Sequence, residues 1–200
     1  MNYKNPYEKL SGKLNNRKLV NAGFSEKTYD TGSVKLNYVV GPKNGPSLLL
    51  IPAQMGMWES YKKVLLPLSK IFQVYAIDVR GHGKSSWTPG HYSWKIIGED
   101  IKIFIENVIK QKVIISGNSS GGIIALWCAA NIPEYISGII LEDAPIFSAE
   151  MPRFKEQDKF VYNGLKHLVN QIGNIPDRDL ANYFQNMEVP ASDKRIKRIP

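Results

Sequence analysis

Apolar positions along this chain switch repeatedly between two periods. Val34, Leu36, Tyr38 and Val40 recur at every second position, the spacing of a half-buried strand. Gly32-Ser33 and Gly41-Pro42 bracket them as turn signals, and Glu26 to Thr31 is the expected hairpin partner. Leu48 to Pro52 is continuously apolar instead, as a strand covered on both faces should be. Phe72 to Val79, Val113 to Ser116 and Ile136 to Leu141 share that character. Between these runs the period lengthens. Tyr61, Val64, Leu65 and Leu68 are spaced i, i+3, i+4, i+7, and Ile97, Ile101, Phe104, Ile105 and Val108 mark a longer helix. Ile123 to Ala130 is a third helix, apolar nearly all round. The alternation predicts an α/β fold: a mostly parallel sheet with helices on both faces and an antiparallel hairpin at one edge.

After Pro145 the pattern changes. Val161, Leu165, Leu168 and Ile172 share a helical face, Leu180, Tyr183, Phe184 and Met187 form another, and no strand is readable from Phe147 to Pro200. The expected division is a core over residues 1–146 and a helical segment over 147–200. At 200 residues and 43% hydrophobic, the chain can bury one large core. No apolar run reaches the roughly 18–20 residues of a membrane span. The N-terminus has lysines but no apolar run behind them, so no secretory signal is expected. A single cysteine, Cys128, excludes an internal disulfide and fits a reducing compartment, so a cytoplasmic location is expected. The net charge of +8 reads as a solvated, lysine-rich surface. Its one dense cluster is Lys194, Arg195, Lys197 and Arg198, and without interleaved aromatics it predicts no nucleic-acid partner.

The candidate chemistry lies in Gly117-Asn118-Ser119-Ser120-Gly121. This string directly follows the β-branched run Val113-Ile114-Ile115 and directly precedes the third helix, the strand–turn–helix setting of a nucleophile elbow. So sharp a turn forces its central residue into a strained backbone conformation and demands very small residues two positions to either side. Gly117 and Gly121 meet that demand. Ser119 is the candidate nucleophile, and the Ser120 amide, at the start of a helix, is a candidate oxyanion donor.

On these residues the chain resembles the α/β-hydrolases, and three more stretches strengthen the resemblance. Asp78-Val79-Arg80-Gly81-His82-Gly83-Lys84-Ser85 is similar to the D-x-R-G-x-G-x-S turn after the family's fourth strand. Leu141-Glu142-Asp143-Ala144-Pro145 is similar to the end of its sixth. Leu49 to Gly56 occupies the oxyanion-loop position after the third. That loop usually begins His-Gly, and here the pair is Pro52-Ala53; the resemblance implies that the following amide, of Gln54, is the second oxyanion donor. It also implies that Asp78 and Arg80 hold their turn together rather than react, and that residues 147–200 begin the family's helical cap.

A serine hydroxyl needs a base, and the base needs an orienting acid; in this fold they follow the serine in the order acid, histidine. The family's last strands, which usually carry both, do not appear, so the chain reads as the front two-thirds of such an enzyme. Within it, Asp143 and Glu142 are the candidate acids, since some family members carry the acid after the sixth strand. His82 and His167 are the candidate bases. His82 should be displaced from Ser119 by the intervening third strand, about 10 Å at ~4.8 Å per strand. His167 lies off the apolar face of its helix, and His91 is expected in a solvent-facing turn. Cys128 is expected to be a packed thiol. No metal-ligand spacing and no phosphate loop is readable, so no cofactor is expected.

The resemblance implies a serine hydrolase acting on a small-molecule ester or similar acyl substrate, since the family's dehalogenation and epoxide-opening chemistries use a carboxylate nucleophile. The alternative is a catalytically silent or incomplete hydrolase-fold chain. Ile136 to Leu141, with no proline or lysine, is expected to lie at an exposed sheet edge and to favour self-association.

Overall fold

The apolar run Ser47–Ile51 (β3) is fully buried and lies in the middle of a six-stranded sheet. The structure, a computed structural model, describes residues 5–146 and, beyond them, scattered positions between 163 and 182 together with 188–191 and 194–197. The other strands are Ser25–Asp30 (β1), Lys35–Val40 (β2), Gln73–Asp78 (β4), Val113–Asn118 (β5) and Ile136–Glu142 (β6). Their order is β1-β2-β4-β3-β5-β6. β3 pairs parallel with both β4 and β5, and β5 pairs parallel with β6. The opening hairpin pairs Ser25 with Val40 and Asp30 with Lys35, and β2 then runs antiparallel to β4. The chain therefore forms a mostly parallel sheet with an antiparallel edge, as its patterning predicts.

Alternate residues of the central strands feed two cores. Leu49, Ile51, Tyr75, Ile77, Val113 and Ile115 face one side, where the helices Trp94–Phe104 (α3) and Ser120–Asn131 (α4) cover them. Leu48, Leu50, Val74 and Ala76 face the other side, against Arg17–Asn21 (α1), a 3₁₀ turn at Trp58–Tyr61 and the helix Lys62–Leu68 (α2). Asn16 caps α1 by accepting from the Leu19 amide at 3.2 Å, and Ser93 caps α3 by accepting from Ile96 at 3.3 Å.

Three departures from the sequence reading have local causes. The long helix expected through Val108 is α-helical only to Phe104 and continues as a π turn over Ile105–Ile109, closed by Lys110 at φ 58°. Val64, expected on the buried face, is 41% exposed, because the preceding 3₁₀ turn has three residues per turn and shifts the phase of α2. Two antiparallel strands appear where no strand was expected: Glu188–Ala191 (β7) pairs with Lys194–Lys197 (β8). Pro190 and the run of cations disguise them, since both are ordinarily edge-strand features.

The chain divides into two compact units, Met1–Pro145 and Ile146–Pro200. Most of the helical segment expected over 147–200, His167 included, lies outside the described residues. Among the described residues no helix is long and apolar enough to cross a membrane.

Candidate active site

At the C-terminal end of β5 the chain reverses into α4 through a single residue, Ser119, at φ 50° and ψ −114°. A non-glycine residue holds such a conformation only where its surroundings enforce it. The enforcement is visible on both sides. A Cβ on Gly117 would lie 2.2 Å from the Gly121 carbonyl oxygen, and one on Gly121 would lie 2.2 Å from that of Ile51. The Ser119 amide donates to the Glu142 carbonyl at 2.7 Å, which ties the turn to the end of β6. The Ser119 side chain is half-buried, and among the described residues its hydroxyl has no hydrogen-bond partner.

Gln54, after β3, and Ser120, at the start of α4, line one cavity of about 400 Å³. Neither amide donates a hydrogen bond among the described residues, so both are free to meet an acceptor in that cavity. In the loop after β3 the positive φ falls on Met55 (65°), not on Ala53, so alanine stands where the family usually has glycine without strain. His82 lines the same cavity although β3 separates β4 from β5. The His82 Nδ1 lies 3.1 Å from the Arg80 carbonyl, which can only accept, leaving Nε2 as the acceptor of a neutral ring.

The candidate acids diverge. Asp143 is exposed, at φ 51°. Glu142 points to the opposite face of the sheet, where its Oε1 accepts from the Ser116 hydroxyl at 2.5 Å and it lines a different cavity with Ser116, Asn118 and Tyr61. Burial, with a smaller contribution from Glu142, pushes the Tyr61 hydroxyl's pKa up, and Tyr61 donates to the Ile51 carbonyl at 3.0 Å. His91 is exposed and does not line the Gln54–Ser120 cavity. Cys128 is fully buried, and burial pushes its thiol up to about 12, as suits a packed side chain.

Asp78 and Arg80 are structural. Asp78 accepts from the Trp58 amide at 2.7 Å, the Asn37 side chain at 2.9 Å and the Lys84 amide at 3.0 Å. Arg80 forms a buried two-pronged pair with Asp100 at 2.6 and 2.7 Å. Sequence patterning missed Tyr92, Trp94 and Ile97 as cavity residues. The one signal was their place just after the Gly81–Ser85 turn, with Ser93 as a cap between them. Among the described residues no cluster of His, Cys, Asp and Glu is arranged to hold a metal ion.

A family model for the alpha/beta hydrolase fold matches residues 46–199. The mouse protein named Epoxide hydrolase 4 is 30% identical over 120 residues, which cover 58% of this chain and 33% of its own. A putative esterase/lipase of Haemophilus influenzae is 29% identical over 122 residues, covering 61% of this chain and 41% of its own. The chain thus spans well under half the length of these two relatives. The solved structure of Cfl2 from Burkholderia cenocepacia superposes with a TM-score of 0.66 at 19% identity, over 82% of this chain and 59% of that one. At that identity the likeness concerns the fold alone.

Proposed function

Because the chain belongs to the α/β-hydrolase family, we propose that Ser119 is the nucleophile of a serine hydrolase that acts on an ester or similar acyl substrate. The observation that carries this reading is the strained turn at Ser119, which presents a hydroxyl without a hydrogen-bond partner among the described residues. In the proposed reaction the Ser119 Oγ attacks the acyl carbon and the Gln54 and Ser120 amides stabilise the oxyanion. The Oγ–carbon bond forms, the ester C–O bond breaks, and the alcohol leaves with the proton that Oγ gave up. Water then cleaves the acyl-serine to release the carboxylic acid and restore the hydroxyl. A hydroxyl at the elbow favours this acyl transfer over epoxide opening, even though one relative is named an epoxide hydrolase.

A second reading, of a chain that is silent or works only when completed, draws on a different observation: among the described residues no histidine bonds to Ser119 Oγ. One experiment separates the two. A fluorophosphonate should raise the mass of the wild-type chain by one phosphonyl group mapped to Ser119, and leave Ser119→Ala unchanged. Modification at another serine, or none, would discard the nucleophile assignment. Steady hydrolysis of p-nitrophenyl esters that Ser119→Ala abolishes would favour the complete enzyme. Labelling with little turnover would favour the second reading, since removing triad members still leaves some rate over water.

A further inference from the structure

The cavity lined by Ser120, the residue after Ser119, has two chemically distinct sets of lining residues. Gln54, Ser120 and His82 form the polar one. The buried Val79, Ile97 and Ile124, with two partly exposed aromatic side chains, Tyr92 and Trp94, form the apolar one. We propose that this is an acyl pocket for uncharged acyl groups of ring or short-chain size, and that Tyr92 and Trp94 are its specificity-determining residues. The proposal rests on the acyl-enzyme reading above.

Both aromatics are held in place yet left open to an incoming group. The Tyr92 ring lies so close over Gly81 that a Cβ there would meet its Cε1 at 2.5 Å, and its hydroxyl accepts from the Thr88 amide at 2.8 Å. Trp94 is the first residue of α3, oriented by the Ser93 cap. They remain 43% and 40% exposed, so an apolar acyl group seated between them removes aromatic surface from water. A charged acyl group has no such reception. No lysine or arginine lines the cavity among the described residues. Arg80, near in sequence, is 4% exposed and committed to Asp100, Thr88 and Ser33. A carboxylate placed against Val79, Ile97 and Ile124 would lose its hydration without gaining a partner. The volume of about 400 Å³ lies near the lower end of the roughly 300–1,000 Å³ of small-molecule sites, which suits one ring rather than a long chain.

The test compares acylation of Ser119 by p-nitrophenyl phenylacetate, p-nitrophenyl acetate and p-nitrophenyl hemisuccinate, followed by p-nitrophenolate release and intact mass. The phenylacetyl group should transfer at least about tenfold faster than the succinyl group. Trp94→Ala should lower phenylacetyl transfer about tenfold relative to acetyl transfer, a change of preference that general unfolding would not produce. Trp94→Arg should shift the preference toward the succinyl ester, a gain that damage cannot mimic. In a separate arm, phenylacetamide is titrated into the Ser119→Ala chain by NMR, and adding Trp94→Ala should weaken its binding about tenfold. Equal transfer of both acyl groups, or a ratio that Trp94→Ala leaves untouched, overturns the pocket and spares the nucleophile. Phenylacetamide binding that depends on Trp94, with no serine acylated, keeps the pocket and overturns the acyl-enzyme reading. Neither binding nor acylation overturns both.

Discussion

Gly117 and Gly138 show how differently two strand glycines in one sheet can be constrained. A Cβ on Gly117 would meet Gly121 backbone on the facing turn of α4, and backbone cannot swing aside as a side chain can. Gly138, in β6, has nothing within 4 Å of the same position. Gly117→Ala is therefore expected to cost about 3 kcal/mol, toward the upper end of overpacking. Gly138→Ala should be neutral or stabilising by about 0.5 kcal/mol through loss of unfolded-state freedom. Urea unfolding of the two variants beside the parent checks this; equal effects would mean that the elbow is looser than its geometry indicates. The same crowding explains why Ser119 tolerates a positive φ. Its amide is anchored to Glu142 and its flanks have nowhere else to go.

Between elements, one polar network ties the first hairpin, the Trp58–Tyr61 turn and the β4–α3 turn together. Glu26 of β1 is buried and its Oε1 accepts from Lys84 Nζ at 2.5 Å, the Asn37 side chain at 2.9 Å and the Trp58 indole at 3.2 Å. Glu59 adds a third carboxylate beside Glu26 and Asp78, with its amine partner Lys84 at 3.6 Å and a buried Oε2 that has no hydrogen-bond partner. Burial chiefly, and then Asp78 and Glu26, raise the pKa of Glu59 above its ordinary value. A carboxyl raised in the folded state contributes most below its unfolded pKa and loses that contribution as pH rises through the folded one. Glu59→Gln removes this loss while Lys84 keeps Glu26. The variant should therefore gain melting temperature over the parent at pH 7, and the gain should shrink toward pH 4. Melting curves at both values test it; a constant difference would show that Glu59 titrates as a surface group.

At the scale of the molecule, the sheet's two faces are unequally covered. On the face away from the Gln54–Ser120 cavity lies a second one of about 570 Å³, lined by Leu48, Leu50, Tyr61, Val64 and Ile114 and reaching Ile140 on β6. Ile140 is 50% exposed, and β6 is the edge of the six-stranded sheet, with no proline or lysine along it. An open strand edge beside open apolar surface favours pairing with another copy. The 200-residue chain should thus sediment above monomer mass at tens of micromolar, and Ile140→Lys should lower that mass. A wild-type chain that sediments as a monomer would remove this expectation.

Much of this was legible locally. The six strands, the three helices that follow them and the elbow announce themselves because hydrophobic period and turn sterics act over neighbouring residues, and Gly117 and Gly121 answer to a clash only a few residues long. The β7–β8 pairing escaped because its cations and Pro190 are unlike the apolar runs that mark the other strands. The cavity was legible only in part: Gln54, Ser120 and His82 were expected at one edge of the sheet, but Tyr92 and Trp94 were not expected to join them. Gln54, His82, Trp94 and Ser120 come from separate loops and helix starts, and meet only because β3 is seated between β4 and β5. Strand parity likewise sends Glu142 to the face away from that cavity while its backbone carbonyl holds Ser119. Turn strain is a property of adjacent residues and can be read from their order. Which side chains share a cavity depends on strand order and on the face each residue takes, and packing across the whole sheet decides both.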